Sequence, residues 1–319
     1  MTPRIAGLHH VTAVTGDAQR NLDFYTGVLG LRLVKRTVNF DDPGSYHLYY
    51  GDERGRPGSL LTFFAWPGAP AGRHGAPQAA TTSFSVPPGS LDFWGERLAA
   101  SGARPDGPFA RLDGERFLEL RDPDGLRLEL VAGTAAPADP GPRPSGPVPA
   151  ERAIRGLHGV ALAEEEPGRT AELLVRTLGF EPAGADGDRS RYVGEDAAAR
   201  VVDVLRAPGG PRATLGAGVV HHVAFRTPDD ETQEHWRRRV ASAGPDVTPV
   251  IDRSYFRSIY FREPGGVLFE IATDGPGFAV DEPEDALGTS LRLPPRYERE
   301  RAAIESVLPP LRLPRRGRA

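Results

Sequence analysis

Short apolar runs of strand character and one helical stretch follow each other in a fixed order, and the order recurs four times. The first pass reads as a strand at residues 8–14, LHHVTAV. A helix follows at 18–29, where Leu22, Tyr25, Val28 and Leu29 fall at helical spacing, with Asp17 as start signal and Gly30 as stop. Branched and aromatic strands follow at 31–37, 46–51 and 59–65. The second pass, from about 80 to 132, opens with TTSFSVP. Its helix, LDFWGERLAASG, is expected to be capped by Ser90 and stopped by Gly102, and strands at 117–120 and 126–131 alternate around the turn DPDG. The third, 156–207, has GLHGVALA, a helix at 169–178 ending at Gly179, and strands at 190–193 and 199–205. The fourth, 219–273, has VHHVAFRT, a helix at 229–243 ending at Gly244, and strands near 247–251, 258–262 and 266–272.

Strand, helix and three strands, four times over, is an α+β pattern. We expect four βαβββ modules paired into two domains, with their sheets closing around a cavity. Residues 1–133 form an N-terminal half of two modules. The run GTAAPADPGPRPSGPVPA (133–150) is too rich in Pro, Gly and Ala to pack, so 134–152 is a linker. Residues 153–275 form a C-terminal half of two modules, and 276–319 a wrapping tail with a helix at 296–308.

Composition narrows the partners. Hydrophobic residues are 39% of the 319, enough for a core, and the net charge is -4. Lys and Arg cluster in 312–318 alone, so neither nucleic acid nor an anionic membrane is an expected partner. There is no cysteine, which removes disulfides, thiolate metal sites and cysteine nucleophiles together. That suits a reducing cytoplasm. MTPRIAGLHH lacks a hydrophobic signal core, and no apolar run approaches the roughly 20 residues of a membrane span, so a cytoplasmic location is expected.

Phosphate-binding glycine loops, GxSxG elbows and HExxH helices are all missing. What remains is histidine and carboxylate on strands. Aligning the four passes matches His10 with His222, and with Thr82 and Gly159 in the second and third. In the last strands, Glu129 (PDGLRLELV) matches Glu270 (PGGVLFEIA), and the third pass offers Asp203. Strand alternation puts His9 and His10 on opposite faces, and likewise His221 and His222. His10 and His222 share a register, each followed by a valine, and are chosen as the inward pair. Two neutral imidazoles and one carboxylate, His10, His222 and Glu270, suit Fe(II), Mn(II) or Zn(II). The open positions of such a triad favour iron–oxygen chemistry. His9 and His158 are expected to be structural by position, Glu129 to pair with Arg127, and His47, His74 and His235 receive no role.

With these residues in place, the chain resembles the vicinal oxygen chelate superfamily of glyoxalases, bleomycin-resistance proteins and extradiol ring-cleaving dioxygenases. GLHHVTAVTGDAQRNLDFYTGVLGLRLVKRTVNFDDPGSYHLYYGDE is most similar to the hydroquinone 1,2-dioxygenase branch, and the resemblance extends to GFAVDEPEDALG at 277–288. It implies Fe(II), with Mn(II) or Zn(II) as alternatives, held by His10, His222 and Glu270. Catechol extradiol enzymes take their first histidine from the third module, where this chain has Gly159. The resemblance also implies Thr12, His221, Arg253 and Tyr260 beside the metal. Tyr or His would bond a substrate oxygen or move a proton, Arg would face a phenolate, and His9 or His221 would be the acid–base group. The implied activity is ring cleavage by O2 insertion into a hydroquinone- or catechol-type aromatic, with that diphenol and O2 as partners and a homo-oligomer compatible with it. Two other readings stay open. A glyoxalase-type isomerase would use Zn(II) or Ni(II) with a second carboxylate such as Glu129. A metal-free, resistance-type binding protein would lack the triad.

Overall fold

The computed structural model describes residues 4–112, 114–133 and 146–314. Most of the linker and the last basic residues lie outside that range.

The first module comprises β1 (Leu8–Thr15), α1 (Ala18–Leu22), β2 (Arg32–Asn39), β3 (Asp42–Gly51) and β4 (Leu60–Ala65). The second comprises β5 (Gln78–Val86), α2 (Leu91–Ala100), β6 (Asp106–Arg111), β7 (Glu115–Arg121) and β8 (Arg127–Ala132). The third comprises β9 (Leu157–Glu164), α3 (Gly168–Glu172), β10 (Glu181–Asp186), β11 (Arg189–Val193) and β12 (Val201–Arg206). The fourth comprises β13 (Val220–Thr227), α4 (Asp230–Ser242), β14 (Ile251–Asp252), β15 (Phe256–Arg262) and β16 (Leu268–Pro276). The tail holds a 3-10 turn at Pro295–Glu300 that runs into α5 (Arg301–Val307).

The four-fold strand–helix–strand order is therefore as read from the chain. Asp17 and Asp229 cap α1 and α4 through the backbone amides of Arg20 and Thr232. Ser90 does not cap α2, because its hydroxyl turns back to donate to the Pro87 carbonyl. In modules one and three the helix widens to π geometry, at Asp23–Val28 and Leu173–Thr177. In the first, the Thr26 hydroxyl bonds the Leu22 carbonyl at 2.7 Å, which frees the wider turn to form. Gly30 and Gly179 then reverse the chain at φ of +70° and +79°.

The strands form two eight-stranded sheets. One runs β14-β15-β16-β13-β1-β4-β3-β2 and the other β10-β11-β12-β9-β5-β8-β7-β6. Each sheet joins one module from each side of the linker, four with one and three with two. The halves 1–133 and 153–275 thus do not close sheets of their own. The joints are antiparallel, β1 against β13 and β5 against β9. β6 and β10, which carry no clear strand pattern, are the exposed outer strands of the second sheet.

The tail lies along the first module. Arg36 bridges to Leu291, the Tyr46 hydroxyl donates to the Pro309 carbonyl, and Leu293, Ile304 and Leu308 are buried. No helix among the described residues is long and apolar enough to cross a membrane.

Candidate metal centre

The joint between β1 and β13 builds the site. Val11 pairs with Val223 at its centre, His10 with Ala224 and Thr12 with His222. The register slips once on each strand, between Leu8 and His10 and, opposite Thr12 and Ala13, between His222 and Val220. His9 and His221 are therefore the extra residues of two bulges, which re-aim side chains where they occur. This corrects the opposite-face reading. His9 Nδ1 lies 2.8 Å from His10 Nδ1, and His221 Nδ1 lies 2.8 Å from His222 Nδ1.

Each contact ties up the Nδ1 of an inward histidine and leaves its Nε2 to face the centre. His222 Nε2 is 3.4 Å from His10 Nε2 and 2.9 Å from Glu270 Oε2, and His10 Nε2 is 3.4 Å from the same oxygen. The three ligand atoms lie within 4.8 Å of one another, and all three residues are buried. Glu270 comes from β16, paired to β13 through Ala224. Its Oε1 accepts the Ser258 hydroxyl at 2.5 Å. Its Oε2 is buried and has no donor aligned to it, because the histidine approaches have the distance of a hydrogen bond but not the direction. A desolvated carboxylate oxygen without a donor, facing two imidazole nitrogens, is a donor set that fits a divalent cation. Burial alone would push the Glu270 carboxyl up, but His10 and His222 overcome this and hold it well below the ordinary range. Burial lowers His222 against the opposing pull of Glu270. Glu270 is thus held as the carboxylate and His222 as the neutral imidazole, the forms that bind metal.

A model of the glyoxalase/bleomycin resistance protein/dioxygenase superfamily matches residues 7–130 and 156–271. The chain belongs to this superfamily. The Bacillus subtilis protein MhqO, named for ring-cleaving dioxygenase activity, is 47% identical over 312 residues, 97% of this chain and 98% of its own. The chlorohydroquinone/hydroquinone 1,2-dioxygenase of Sphingobium indicum is 36% identical over 305 residues, 92% and 93% of the two chains. A crystal structure described as a dioxygenase from Bacillus subtilis superposes with a TM-score of 0.94 at 46% identity, covering 98% of this chain and 99% of that one. The two curled eight-stranded sheets are the vicinal oxygen chelate fold of the superfamily.

A cavity of about 290 Å³ opens onto the triad of this superfamily member. Phe64, Trp66, Phe256 and Phe40 wall it, and Phe64 and Trp66 stack at 6.1 Å. His221, Arg253 and Tyr260 line it. Arg253 Nε donates to the Tyr260 hydroxyl at 3.2 Å, and Nη1 reaches Asp41 Oδ2 at 3.1 Å across the mouth. Burial and Glu270 push the Tyr260 hydroxyl up despite Arg253. Burial, then His222, lowers His221 to about 3. Thr12 is fully buried, opposite His222, and shares a 2.8 Å hydrogen bond with Thr62. His9 does not line the cavity; its ring packs on Phe256 and reaches the Thr273 backbone. Burial, then His10, holds it well below its ordinary value.

Glu129 is not at this site. It sits in the second sheet, gripped by both Nη atoms of Arg111 at 2.8 Å and by the Ser83 hydroxyl at 2.6 Å. Arg127, its expected partner, is exposed. His158 contacts Glu115 at 3.0 Å, and His74 bonds Gln78 and the Gly125 carbonyl. Three site residues escaped the sequence reading: Ser258, His47 and Asp41. Period-two spacing could have found the first two, since Ser258 shares a face with Tyr260 and His47 with Tyr49. Asp41 is a turn residue with no such signal.

Proposed function

We propose that the protein is an Fe(II)-dependent, extradiol-type ring-cleaving dioxygenase that inserts O2 into a hydroquinone- or catechol-type aromatic. The observation that carries this reading is a buried set of three donors, two imidazoles and one carboxylate, at the floor of an aromatic-walled cavity. Three protein ligands leave positions for two outside ligands, as a diphenol and O2 require. The names of MhqO and the Sphingobium enzyme support the same reaction class. His10, His222 and Glu270 would hold the metal, which when bound supplies a Lewis-acid and redox centre that joins a phenolate to O2.

The chain's own residues do the positioning. A cavity of about 290 Å³ suits a single substituted ring, at the small end of the roughly 300–1,000 Å³ typical of ligand pockets. Phe64, Trp66 and Phe256 hold the ring faces and exclude water. Arg253 and Tyr260 present a fixed cation and a hydroxyl to a substrate oxygen. Of the two acid–base candidates, His221 is favoured. It lines the cavity, and with Nδ1 committed to His222 its Nε2 is the atom open to a substrate proton. His9 is closed off and serves to orient His10. Thr12, beside His222, helps set that imidazole's surroundings. A glyoxalase-type isomerase is disfavoured because Glu129, its candidate second carboxylate, is committed to Arg111 and Ser83.

The test is anaerobic loading with Fe(II), then oxygen uptake on panels of hydroquinones and catechols, with His222→Ala alongside. We expect stoichiometric O2 consumption and a new ring-opened chromophore, both lost in the variant. No uptake with any diphenol, together with tight Zn(II) or Ni(II) binding, would replace this reading by the isomerase.

A further inference from the structure

The strand register gives every module the same interior place. In module four it holds Glu270, beside Ala224, two residues after His222. In module two it holds Glu129, beside Ser83. In module three it holds Asp203, beside Ala161 and two residues after Gly159. In module one the same step leads to Thr62, beside Thr12, two residues after His10. Three modules carry a carboxylate there, and the first carries a threonine. In the second sheet both carboxylates are neutralised by arginine, Glu129 by Arg111 and Asp203 by Arg191, each through paired contacts of 2.8–2.9 Å. The histidine places of that sheet hold Gly159 and Thr81; the register corrects the sequence alignment, which had put Thr82 there. In the first sheet, a pseudo-twofold axis through Val11 and Val223 relates His10 to His222. The same axis relates Glu270 to Thr62.

The neighbours of the two places differ in a matching way. Tyr260 pairs with Glu270 and Tyr49 with Thr62, so Ser258 and His47 are equivalent. Ser258 donates to Glu270 Oε1. His47 Nε2 lies 2.9 Å from Thr62 Oγ1, and its Nδ1 lies 2.9 Å from the Tyr49 hydroxyl. Thr62 Oγ1 lies 2.8 Å from Thr12 Oγ1. With Tyr49 donating to Nδ1, the Nε2 proton goes to Thr62 and the Thr62 proton to Thr12. Both functions of the Thr62 hydroxyl are then spent within the sheet, and all four side chains are buried.

We propose that Thr62 determines how open the metal is. It occupies the place where the sheet's own symmetry would put a fourth ligand. Clasped by His47, it keeps that side free for a bidentate outside ligand. The proposal rests on His10, His222 and Glu270 being a metal centre, and its test separates the two claims.

A carboxylate at 62 needs the room His47 fills, so the paired variant Thr62→Glu/His47→Ser copies the Glu270–Ser258 arrangement. Thr62→Gln/His47→Ser is the neutral control. Zn(II) affinity is read by competition with a chromophoric chelator, and 4-nitrocatechol binding to the loaded protein by its visible absorbance. We expect the charged variant to bind Zn(II) about tenfold or more tighter than wild type and control, and to bind 4-nitrocatechol about tenfold or more weakly. Zn(II) affinity equal to the control, with 4-nitrocatechol binding retained in a folded variant, would overturn the proposal. Should thermal melting show the paired variant unfolded, Thr62→Asp, which spares His47, is judged by the same two readouts. A wild type that takes up no divalent ion would bring down the metal-centre reading, and this inference with it.

Discussion

Removing the Lys35 ammonium should cost more stability than removing the whole ion pair it belongs to. Lys35 is fully buried on β2, with Nζ 2.5 Å from both Asp281 Oδ1 and Glu282 Oε2 and 3.1 Å from the Phe278 carbonyl. It also lies 4.8 Å from the centre of the Tyr255 ring. The Glu282 side chain is likewise at 0% exposure. Lys35→Met keeps the aliphatic packing but takes the ammonium from that carboxylate, leaving it the Ser290 hydroxyl at 2.9 Å, the Gly288 amide at 3.4 Å and the Arg292 guanidinium at 3.5 Å. Removing one partner of a buried ion pair costs about 3–5 kcal/mol. At roughly 2 °C per kcal/mol for a chain of this size, Tm should fall by about 6–10 °C. The double variant Lys35→Met/Glu282→Gln removes both charges and should return to within about 2 kcal/mol of wild type. Burial opposes ionisation of Glu282, but Lys35 and Ser290 hold its carboxyl below the ordinary value. Its stabilisation is therefore present above the unfolded carboxylate value and lost as pH falls through the folded one. The Lys35→Met penalty should shrink over the same acid range. Thermal and urea unfolding of the wild type and the two variants at neutral and acid pH decides it. A Lys35→Met cost below about 1 kcal/mol, or a double variant no better than the single, would refute the reasoning.

Ser258→Ala should lower divalent-metal affinity by about 10–100-fold in a chelator competition, because it frees the carboxylate that Ser258 orients. Arg253→Lys should raise KM for the diphenol about tenfold while changing kcat less, since a lysine cannot hold Tyr260 and Asp41 in one plane. Metal affinity should stay unchanged in that variant. Glu164 and Glu263 share the single Thr170 hydroxyl at 2.6 and 2.5 Å, and burial, aided by Glu263, pushes Glu164 up to about 7 from 4.5. Folding then takes up a proton in that window, so stability falls as pH rises from about 4.5 to 7. Glu164→Gln should flatten the slope and add on the order of 2 kcal/mol at pH 8, and an unchanged pH–stability curve would refute it.

The four modules and the triad were legible because both depend on local period and on repetition of the same register. HHV at the two ends of the chain and the lone carboxylate of VLFEIA point to one centre without any coordinates. Strand alternation failed at His9 and His221 because each is the extra residue of a bulge, and a bulge is set by the partner strand. That β1 and β13 join modules one and four edge to edge in a single sheet was not legible for a related reason, since every module has the same local pattern and long-range joints choose among them. β6 and β10 were missed because outer strands bury little and need no alternation. Arg111 and Arg191, which neutralise Glu129 and Asp203, lie on other strands of the sheet at distances along the chain that no motif encodes. Thr62 acquires meaning once the register aligns it with three carboxylates.

Mass spectrometry of the ring-opened product formed under ¹⁸O2 tests the central claim most directly. The Fe(II)-loaded protein turning over hydroquinone should give product carrying both labelled atoms, and Glu270→Gln should give none. A product with one label or no label from the wild-type protein would contradict a dioxygenase built on His10, His222 and Glu270.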